Sequence, residues 1–459
     1  LTFNEPLVKT FSIDAKDKKE LTKILSGNLV PTLSKPIALA YAGHQFGHYS
    51  PQLGDGRAVL LGQLTNSKNE IFDLQLKGSG KTQYSRQGDG KSPLSAVIRE
   101  YIISEAMHAL NIPTTRSLAI IATDEMVLRQ EGMVPCGILS RIASSHIRIG
   151  TFEYVARLKN GKYLKALADY TISHHYPLLK QAASPYKELL NLVCLKQASL
   201  IAKWLHHGFI HGVMNTDNMT VSGETIDYGP CAFMDDFSFD KVFSSIDQNG
   251  RYAYSNQANI AKWNLFRLAE TLLPLIDENI DKAIIIAQEI LENYSEVFNT
   301  NYWQGLAAKL GYGSITNTNQ AIIEQFLDLM QTFKADHTQS FRLLGDSLLS
   351  ETAKLSLFKL FNNSAEIKDW YKRWQQDLTT DKNNLASTST KMNAINPLYI
   401  PRNHIVEKVI ANTIASQEPS EINNFLKALT SPFTENNKLQ YYATPPNENE
   451  IVKATFCGT

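Results

Sequence analysis

The chain has 459 residues, enough for two or three substructures, and its 45 basic residues equal its 45 acidic residues in number. This balance excludes a global field for nucleic acid or for an anionic membrane, and no apolar run reaches the ~18 residues of a membrane span. Four cysteines in so long a chain argue against a disulfide scaffold and for a reducing compartment. Because the first residues show no secretory pattern, we expect a cytoplasmic protein.

Residues 1–37 are polar and mixed in character, and we expect an extended arm with one short helix. A stretch with two histidines, His44 and His48, comes next. Packing or hydrogen bonding explains these histidines better than metal ligation, because no third ligand stands near them.

Two glycine-rich stretches are candidates for phosphate contact. Gly54, Gly56 and Arg57 precede an apolar strand, and Asp89 and Gly90 repeat the pattern further on. Glycine lets the backbone come close to a ligand, and arginine offers a charged fork. A Gly-x-Gly pair alone is more often a plain turn, so the pattern is weak evidence.

Residues 72–77 alternate between apolar and polar, which predicts a half-buried strand that ends at Lys77 beside a glycine turn. A helix is predicted to begin at Ser92 and to carry two acidic candidates for an ion pair with Lys77, Glu100 and Glu105. Its apolar stripe consists of Ile98, Ile102, Ala106 and Leu110.

Two arginines lie among apolar neighbours in the region that follows. Residues 117–122 and 126–131 are predicted to form a strand pair, and a further strand begins near Cys136. Arg141 and Arg148 come in and after this strand. An arginine in such a setting usually has an anionic partner, which the sequence leaves open between a protein carboxylate and a phosphate.

The second half of the chain is predicted to be mainly helical. The strongest helix spans residues 186–207, with Gly208 as its natural end. Residues 258–378 are predicted to form several helices, residues 379–395 a polar loop or linker, and residues 441–459 a tail.

The segment that ends the long helix is followed by the most informative stretch, residues 211–229. We expect a loop, a short strand at 219–221, a turn and a second strand ending at Asp227. Asn218 and Asp227 would then lie at neighbouring strand ends, where an amide oxygen and a carboxylate suit a hard cation such as Mg²⁺.

This stretch resembles the catalytic and metal-binding loops of protein kinases, in which Asn follows the catalytic Asp by five residues and Asp-Phe-Gly comes later. Val213 occupies the slot of the kinase base and cannot accept a proton. Asp217 is the carboxylate left nearby. Lys77 and Glu100 match the kinase pairing of a strand lysine with a helix glutamate.

Taken together, the blocks resemble the selenoprotein O family of pseudokinase-like protein adenylyltransferases, from about residue 38 to the C-terminus. The matching motifs are Tyr41-Ala42-Gly43-His44-Gln45-Phe46-Gly47, Gln52-Leu53-Gly54-Asp55-Gly56-Arg57-Ala58, Leu76-Lys77-Gly78-Ser79-Gly80, Tyr84-Ser85-Arg86, Ile98-Arg99-Glu100-Tyr101, His211-Gly212-Val213-Met214-Asn215-Thr216-Asp217-Asn218-Met219 and Asp227-Tyr228-Gly229-Pro230.

The resemblance implies transfer of AMP from ATP, bound in a flipped orientation, to Ser, Thr or Tyr hydroxyls of proteins. It also implies UTP with Mn²⁺ as an alternative donor for uridylylation. Asp217 would accept the proton, Asn218 and Asp227 would bind Mg²⁺ or Mn²⁺, and Glu100 would pair with Lys77. The implied nucleotide contacts are Gly54, Gly56, Arg57, Lys77, Asp89, Gly90, Arg141, Arg148 and Asp227.

The chain departs from the family at Lys81 and Gln83, where prolines are common. The family's C-terminal cysteine can pair with a cysteine downstream of the Asp-Tyr-Gly, and that position is Ser244 here. A bond between Cys231 and Cys457 is the remaining pairing, and two free thiols are the favoured alternative.

The resulting fold class is α+β, a protein-kinase-like two-lobed fold with a β-rich N-lobe, a mainly helical C-lobe and a C-terminal helical extension and tail. The expected divisions are an arm at 1–37, the N-lobe at 38–135, the C-lobe at 136–378 and the extension at 379–459. Nothing demands more than a monomer. Two other functions stay open, a kinase-type phosphotransferase, against which Val213 argues, and a nucleotide-binding scaffold without catalysis.

Overall fold

The computed structural model describes residues 2–11, 13, 17–130, 132–380 and 384–456. The strands in this part of the chain are β1 (Thr2–Phe3), β2 (Gly43–Gln45), β3 (His48–Ser50), β4 (Ala58–Thr65), β5 (Ile71–Lys77), β6 (Ser92–Pro93), β7 (Arg116–Arg129), β8 (Gly132–Ala143), β9 (Phe209–Ile210) and β10 (Ala232–Phe233). The helices are α1 (Glu5–Thr10), α2 (Lys18–Leu25), α3 (Leu94–Ala109), α4 (Ile149–Arg157), α5 (Gly161–His175), α6 (Pro185–His206), α7 (Gln257–Ile276), α8 (Ile280–Lys309), α9 (Asn317–Phe333), α10 (His337–Asp346), α11 (Glu351–Leu360), α12 (Ala365–Thr380), α13 (Leu385–Asn393), α14 (Asn403–Ser416) and α15 (Ser420–Leu429). None of these helices has the length and apolarity to cross a membrane.

An antiparallel sheet forms the N-terminal region, with strand order β1-β7-β8-β5-β4 and β6 paired to β8. The predicted turn between residues 122 and 126 is wrong, because β7 runs through it as one long strand along β8. The pairing slips between Ala122 and Met126, so the chain bends there without reversing. The turn that joins the two long strands lies after Arg129 instead.

The N-terminal segment is not the extended arm with one short helix that its polarity predicts. It forms β1, which pairs with β7, and the two helices α1 and α2. Their apolar side chains join a buried cluster with one face of the sheet, namely Leu7, Val8, Phe11, Leu21 and Leu25. Burial against the sheet, which a local pattern does not reveal, fixes this segment.

Two predicted helices are confirmed, one between strands of the sheet and one after the sheet. The stripe that predicts a helix from Ser92 corresponds to α3, and the long predicted helix corresponds to α6, each within two residues at its ends. Helix α6 is the centre of the largest buried cluster, which it shares with α4, α5, α7 and α8. The chain leaves α6 through Gly208, whose φ of 68° suits glycine, into β9 and the central loop.

The strand pair predicted after the central loop is wrong. Residues 220–225 form a tight turn, in which Thr220 Oγ1 donates to Glu224 O at 2.8 Å and accepts from Glu224 N at 3.1 Å. The two sides of the turn pair elsewhere, Thr220 with Arg148 and Thr225 with Thr114. Asn218 and Asp227 therefore lie on loops and not on paired strand ends.

The C-terminal region packs against α3 and against the segment that follows the central loop. The linker predicted at 379–395 is partly wrong, since it contains α13, while residues 381–383 lie outside the described part of the chain. Helices α14 and α15 pack their apolar faces on α3 in one buried cluster. The tail ends beside the central region, where Thr455 Oγ1 donates to Pro230 O at 2.6 Å. Cys457 lies outside the described residues, so its pairing stays a prediction.

Candidate active site

A cavity of about 760 Å³ lies between the sheet, α3 and the loops that follow β9. Its lining brings together the residues that the sequence assigned to the site, although their roles stay predictions. They are Gly54, Gly56, Arg57, Lys77, Asp89, Gly90, Glu100, Arg141, Arg148, Asp217, Asn218 and Asp227. Val213 is in the same lining and contributes no titratable group.

Three cations converge on the carboxylate of Asp227 in this cavity. Lys77 Nζ lies 2.9 Å and Arg141 Nη1 2.7 Å from Oδ1, and Arg148 Nη1 donates to Oδ2. Burial by itself raises the pKa of Asp227, but the charges of Arg148, Lys77 and Arg141 outweigh it and hold the pKa well below its ordinary value. Asp227 has a φ of 61°, an unusual conformation for a residue with a side chain. The cluster is thus a concentration of positive charge in which all three cations share the Asp227 carboxylate.

The second acidic partner in the cluster is Glu100. Its Oε2 lies 2.6 Å from Lys77 Nζ and its Oε1 lies 3.0 Å from Arg141 Nη1. Glu105, the alternative left open by the sequence, pairs instead with Arg116 at 2.6 Å. The reason is helix geometry, since five residues turn a side chain by about 140° around α3.

Asp217 sits in a short 3₁₀ turn, Thr216–Asn218, and only 7% of the residue is exposed. Its Oδ1 is buried and has no hydrogen-bond partner among the described residues, while its Oδ2 lies 3.4 Å from Gln45 Nε2. Burial raises the pKa of Asp217 to about 6. A buried carboxylate oxygen without a donor is uncommon in folded proteins, so Asp217 is a candidate functional residue of this cavity.

A hairpin formed by β2 and β3 holds the turn that contains Asp217. Glu153 on α4 accepts a hydrogen bond from Thr216 Oγ1 at 2.5 Å and contacts His44 Nδ1 at 2.5 Å, and His44 N donates to Thr216 Oγ1 at 2.7 Å. A side chain at Gly43 would overlap the Asp217 carboxylate. We call residues 43–50 the strap, because they tie the turn to α4.

Of the two histidines of this stretch, His44 agrees with the prediction of packing and hydrogen bonding. The ring of His44 packs on Tyr49 and Trp263 besides its contact with Glu153. His48 is exposed. Within the described residues, no group of three or more His, Cys, Asp or Glu side chains is arranged to hold a metal ion.

The glycine-rich stretches reach the cavity in different ways. Gly90 has a φ of 72°, and its carbonyl accepts from Gly80 N at 3.2 Å, so it closes one turn against another. The carboxylate of Asp89 is held by Arg129 at 2.7 and 3.1 Å. Asp89 therefore lines the cavity as the ion-pair partner of an arginine that the sequence analysis missed.

Sequence reasoning also missed three residues that orient the arginines. Arg141 Nη2 donates to Gln75 Oε1 at 2.5 Å, and Gln75 Nε2 donates to Asp55 Oδ2 at 2.9 Å. The guanidinium of Arg148 lies 4.8 Å from the centre of the Tyr41 ring. Asp55 lies between the two glycines Gly54 and Gly56. An acidic residue inside a predicted phosphate-contacting turn could have been recognised as a partner for a nearby cation. Gln75 gave none, because a glutamine in an alternating strand is normally exposed.

The chain matches the family described as protein adenylyltransferase SelO over residues 1–430. Among curated proteins, it is 47% identical to "Protein nucleotidyltransferase YdiU" of Rhizobium etli over 460 aligned residues, which cover 100% of this chain and 92% of the relative. It is 48% identical to the protein of the same name from Rhodopseudomonas palustris strain BisB5, covering 100% of this chain and 94% of the relative. A further protein of that name, from Bacillus mycoides, is 49% identical over 95% of this chain and 88% of its own length.

Proposed function

Because the chain belongs to the protein adenylyltransferase SelO family, it is a protein nucleotidyltransferase, and we propose that it transfers AMP from ATP to Ser, Thr or Tyr hydroxyls of proteins. Pyrophosphate is the leaving group. The observation that supports this best is the single cavity whose lining contains Asp217 together with three cations clustered around Asp227.

The proposal includes a kinase-like arrangement of two lobes around this cavity. In this proposal, residues 38–135, which contain α3 and most of the sheet, form the N-lobe, and residues 136–378, with the helices around α6, form the C-lobe. The contact of Lys77 with Glu100 supports it, because protein kinases pair a strand lysine with a glutamate of the next helix in this way. Val213 in the slot of the kinase base speaks for nucleotidyl transfer over phosphoryl transfer.

In the proposed reaction, Lys77, Arg141 and Arg148 bind the phosphates of ATP that depart as pyrophosphate. Charged donors held in a partly closed cavity stabilise the negative charge that builds up on a leaving group. All three cations now contact the Asp227 carboxylate. In the proposed complex, phosphate oxygens would take the place of this carboxylate, so no buried cation would be left without an anionic partner. Arg57 and the backbone at Gly54, Gly56 and Gly90 would contact the nucleotide from the sheet side.

The residues present fit a divalent cation. Asn218 offers an amide oxygen, since its Nδ2 donates to Val213 O at 2.9 Å, and Asp227 offers a carboxylate. Oxygen donors of this kind suit Mg²⁺ or Mn²⁺. When bound, the ion would neutralise phosphate charge, which favours attack at phosphorus.

Asp217 is the proposed proton acceptor for the attacking hydroxyl. Its Oδ1 has no donor among the described residues, and the strap holds the turn on which it sits. A carboxylate in this position can orient the hydroxyl and accept its proton as the oxygen bonds to the α-phosphorus.

The test is parallel label transfer from α-labelled and γ-labelled ATP, with Mg²⁺ or Mn²⁺, to the protein itself and to a cell extract. We expect label from the α-position only, and none with an Asp227→Ala variant. Label from the γ-position would mean phosphoryl transfer and contradict the proposal, and no label with intact ATP binding would favour the scaffold. A reaction with α-labelled UTP decides whether a second nucleotide serves as donor.

A further inference from the structure

Two apolar side chains flank the cavity on the side of Asp217. Phe46 of the strap and Ile246 of the loop after β10 both belong to its lining. Ile246 is 54% exposed although it is a large apolar residue. An acceptor chain that brings a hydroxyl to Asp217 enters the cavity that these two residues line, so its neighbouring side chains can contact them.

The loop that contains Ile246 is connected by hydrogen bonds to the segment that contains Asp217. Asp247 accepts hydrogen bonds from the backbone N–H groups of Arg251 at 2.9 Å and Tyr252 at 2.7 Å. The Tyr252 hydroxyl donates to Asn215 Oδ1 at 2.6 Å and accepts from Phe46 N at 3.2 Å. The loop, the strap and the residue two positions before Asp217 are thus one connected unit.

Arg251 presents a cation at the edge of this unit. Its guanidinium packs on the Trp263 ring, 5.0 Å from the centre, and it lies close to Gly47 of the strap. It shares a side-chain hydrogen bond with Tyr252, and its buried Nε, like that of Arg267, has no partner in the described part of the chain. Within that part it also forms no ion pair with a carboxylate.

Arg267 offers a direct comparison on the same ring. Its guanidinium also lies 5.0 Å from the centre of Trp263, but Nη1 is paired with Glu270 at 3.1 Å. Of these two arginines, Arg251 is therefore the one that has no carboxylate partner among the described residues. A fixed guanidinium favours a carboxylate over a neutral group.

We propose that Phe46, Ile246, Arg251 and Trp263 form an acceptor face that binds an acidic polypeptide segment, with a carboxylate a few residues from the hydroxyl that receives AMP. The proposal rests on the function proposed above, because that function brings a protein hydroxyl to Asp217. Arg251 lies against Gly47, next to Phe46 at the cavity, which is within reach of residues near the hydroxyl in an extended chain. Charge complementarity of this kind selects partners more than it adds affinity.

The experiment mixes two synthetic peptides of equal length in one reaction with α-labelled ATP. Both contain Ser, Thr and Tyr acceptors beside leucine, and they differ only in flanking Asp residues against Asn residues. We expect the acidic peptide to take about fivefold more label, the effect of one partly exposed ion pair. The ratio within one tube does not depend on how much of a variant is folded.

Arg251→Gln should bring the ratio close to one, Arg251→Lys should keep most of it, and Arg267→Gln is the matched control that should retain it. For Arg251→Glu, a Lys-flanked peptide replaces the Asp-flanked peptide in the mixture. This variant should label the Lys-flanked peptide more than the Asn-flanked peptide. Equal labelling by the unmodified protein, or a ratio unchanged in Arg251→Gln, would overturn the acceptor face while transfer of AMP stands. Unlabelled peptides beside labelled extract proteins would overturn it too, and absence of α-label everywhere would overturn both proposals.

Discussion

At the scale of single residues, Asp217 and Asp227 show how two carboxylates in one cavity acquire different tasks. Asp227 is surrounded by cations, and they hold its pKa well below the ordinary value of a carboxyl against the effect of burial. Asp217 is buried with few compensating contacts, and burial raises its pKa to about 6. One is therefore suited to bind positive charge and the other to accept a proton.

We expect Asp217→Asn to lower the rate of AMP transfer by ~10²–10⁴-fold, the usual contribution of a positioned general base. The amide keeps the size of the side chain but cannot accept the proton. Affinity for ATP should change little, because Lys77, Arg141 and Arg148 do not contact the Asp217 side chain. Label transfer from α-labelled ATP and calorimetric titration with ATP measure the two effects. A rate within tenfold of the unmodified protein would rule out Asp217 as the base.

Asp227→Asn should destabilise the nucleotide-free protein by about 3 kcal/mol, since it leaves buried cations without their shared partner. The same variant should gain more thermal stability from inorganic tripolyphosphate in metal-free buffer than the unmodified protein does. An added polyanion would replace the lost carboxylate and stabilise the folded state. Differential scanning fluorimetry with and without tripolyphosphate measures both effects.

Asp89→Asn is the control for this experiment, because Asp89 lines the same cavity but compensates Arg129 instead of the cluster. It should show no added response to tripolyphosphate. An equal response of both variants would mean that any loss of negative charge in the cavity, and not the cation cluster, is responsible.

At the scale of structural elements, the strap explains how a loop can hold Asp217, the proposed proton acceptor, in position. Its contacts form a closed set in which Glu153 bridges His44 and Thr216, next to Asp217. Both oxygens of the Glu153 carboxylate are used, and the residue is 5% exposed. The geometry of the turn therefore depends on a side chain that does not itself reach the cavity.

We expect Glu153→Gln to lower kcat by about 10- to 100-fold, the effect of a small misplacement of a reacting group. A glutamine can accept only one of the two hydrogen bonds, so the turn loses one of its supports. The KM for ATP should change less than kcat, because the hydrogen bonds of Glu153 go to His44 and Thr216 and not to the cation cluster. Steady-state kinetics of AMP transfer separate the two parameters.

Glu105→Gln is a matched control, since Glu105 is equally buried and also forms several hydrogen bonds, but at the far side of α3. It should reduce stability without a selective loss of kcat. If both variants lower kcat alike, the effect of Glu153 is a general loss of stability.

Elements with a strong periodic pattern could be predicted, whereas elements fixed by distant contacts could not. The stripes of α3 and α6 predict both helices, because apolar residues recur at helical spacing along each of them. Helix α13 consists largely of polar residues and was missed, since what holds it is burial of Thr388, Ser389 and Met392. The bend in β7 depends in the same way on its partner β8.

The site could be predicted further than the fold, because its motifs specify residue types. The residues assigned to it line one cavity, but the choice between Glu100 and Glu105 needed the orientation of α3. Arg129 could not be found from the sequence, because an arginine near a strand end has no pattern that points to Asp89, 40 residues away.

At the scale of the whole molecule, the C-terminal helices α14 and α15 stabilise α3, which lies beside the cavity. Helices α14 and α15 cover the apolar face of α3, whose Glu100 faces the cation cluster. The position of Glu100 thus depends on residues more than 300 positions later in the chain. These two helices belong to residues 379–459, the segment predicted as an extension beyond the two proposed lobes.

Far from the cavity, a group of basic side chains is buried between α6, α8 and α10. Lys309 is 3% exposed, and its Nζ lies 4.3 Å from the centre of the Phe341 ring. Burial lowers the pKa of Lys309 from 10.5 to about 7, and it lowers the pKa of His206 to about 4 and of His207 to about 3. These groups are close enough to disfavour charge on one another, so the folded protein keeps most of them neutral.

Lys309→Met should stabilise the protein at pH 7, and this gain should shrink as the pH rises toward 10. Between about 7 and 10.5, the unfolded chain binds a proton at Lys309 that the folded chain does not, so the stability of the unmodified protein increases with pH. Over that window the increase amounts to at most ~5 kcal/mol. Methionine fills a similar volume and removes this dependence. Urea unfolding of both proteins at pH 7, 8, 9 and 10 measures it, with Lys372→Met, at a lysine whose side chain is 73% exposed, as the control for the exchange itself. A gain that is constant across these pH values would show that Lys309 does not titrate in this window.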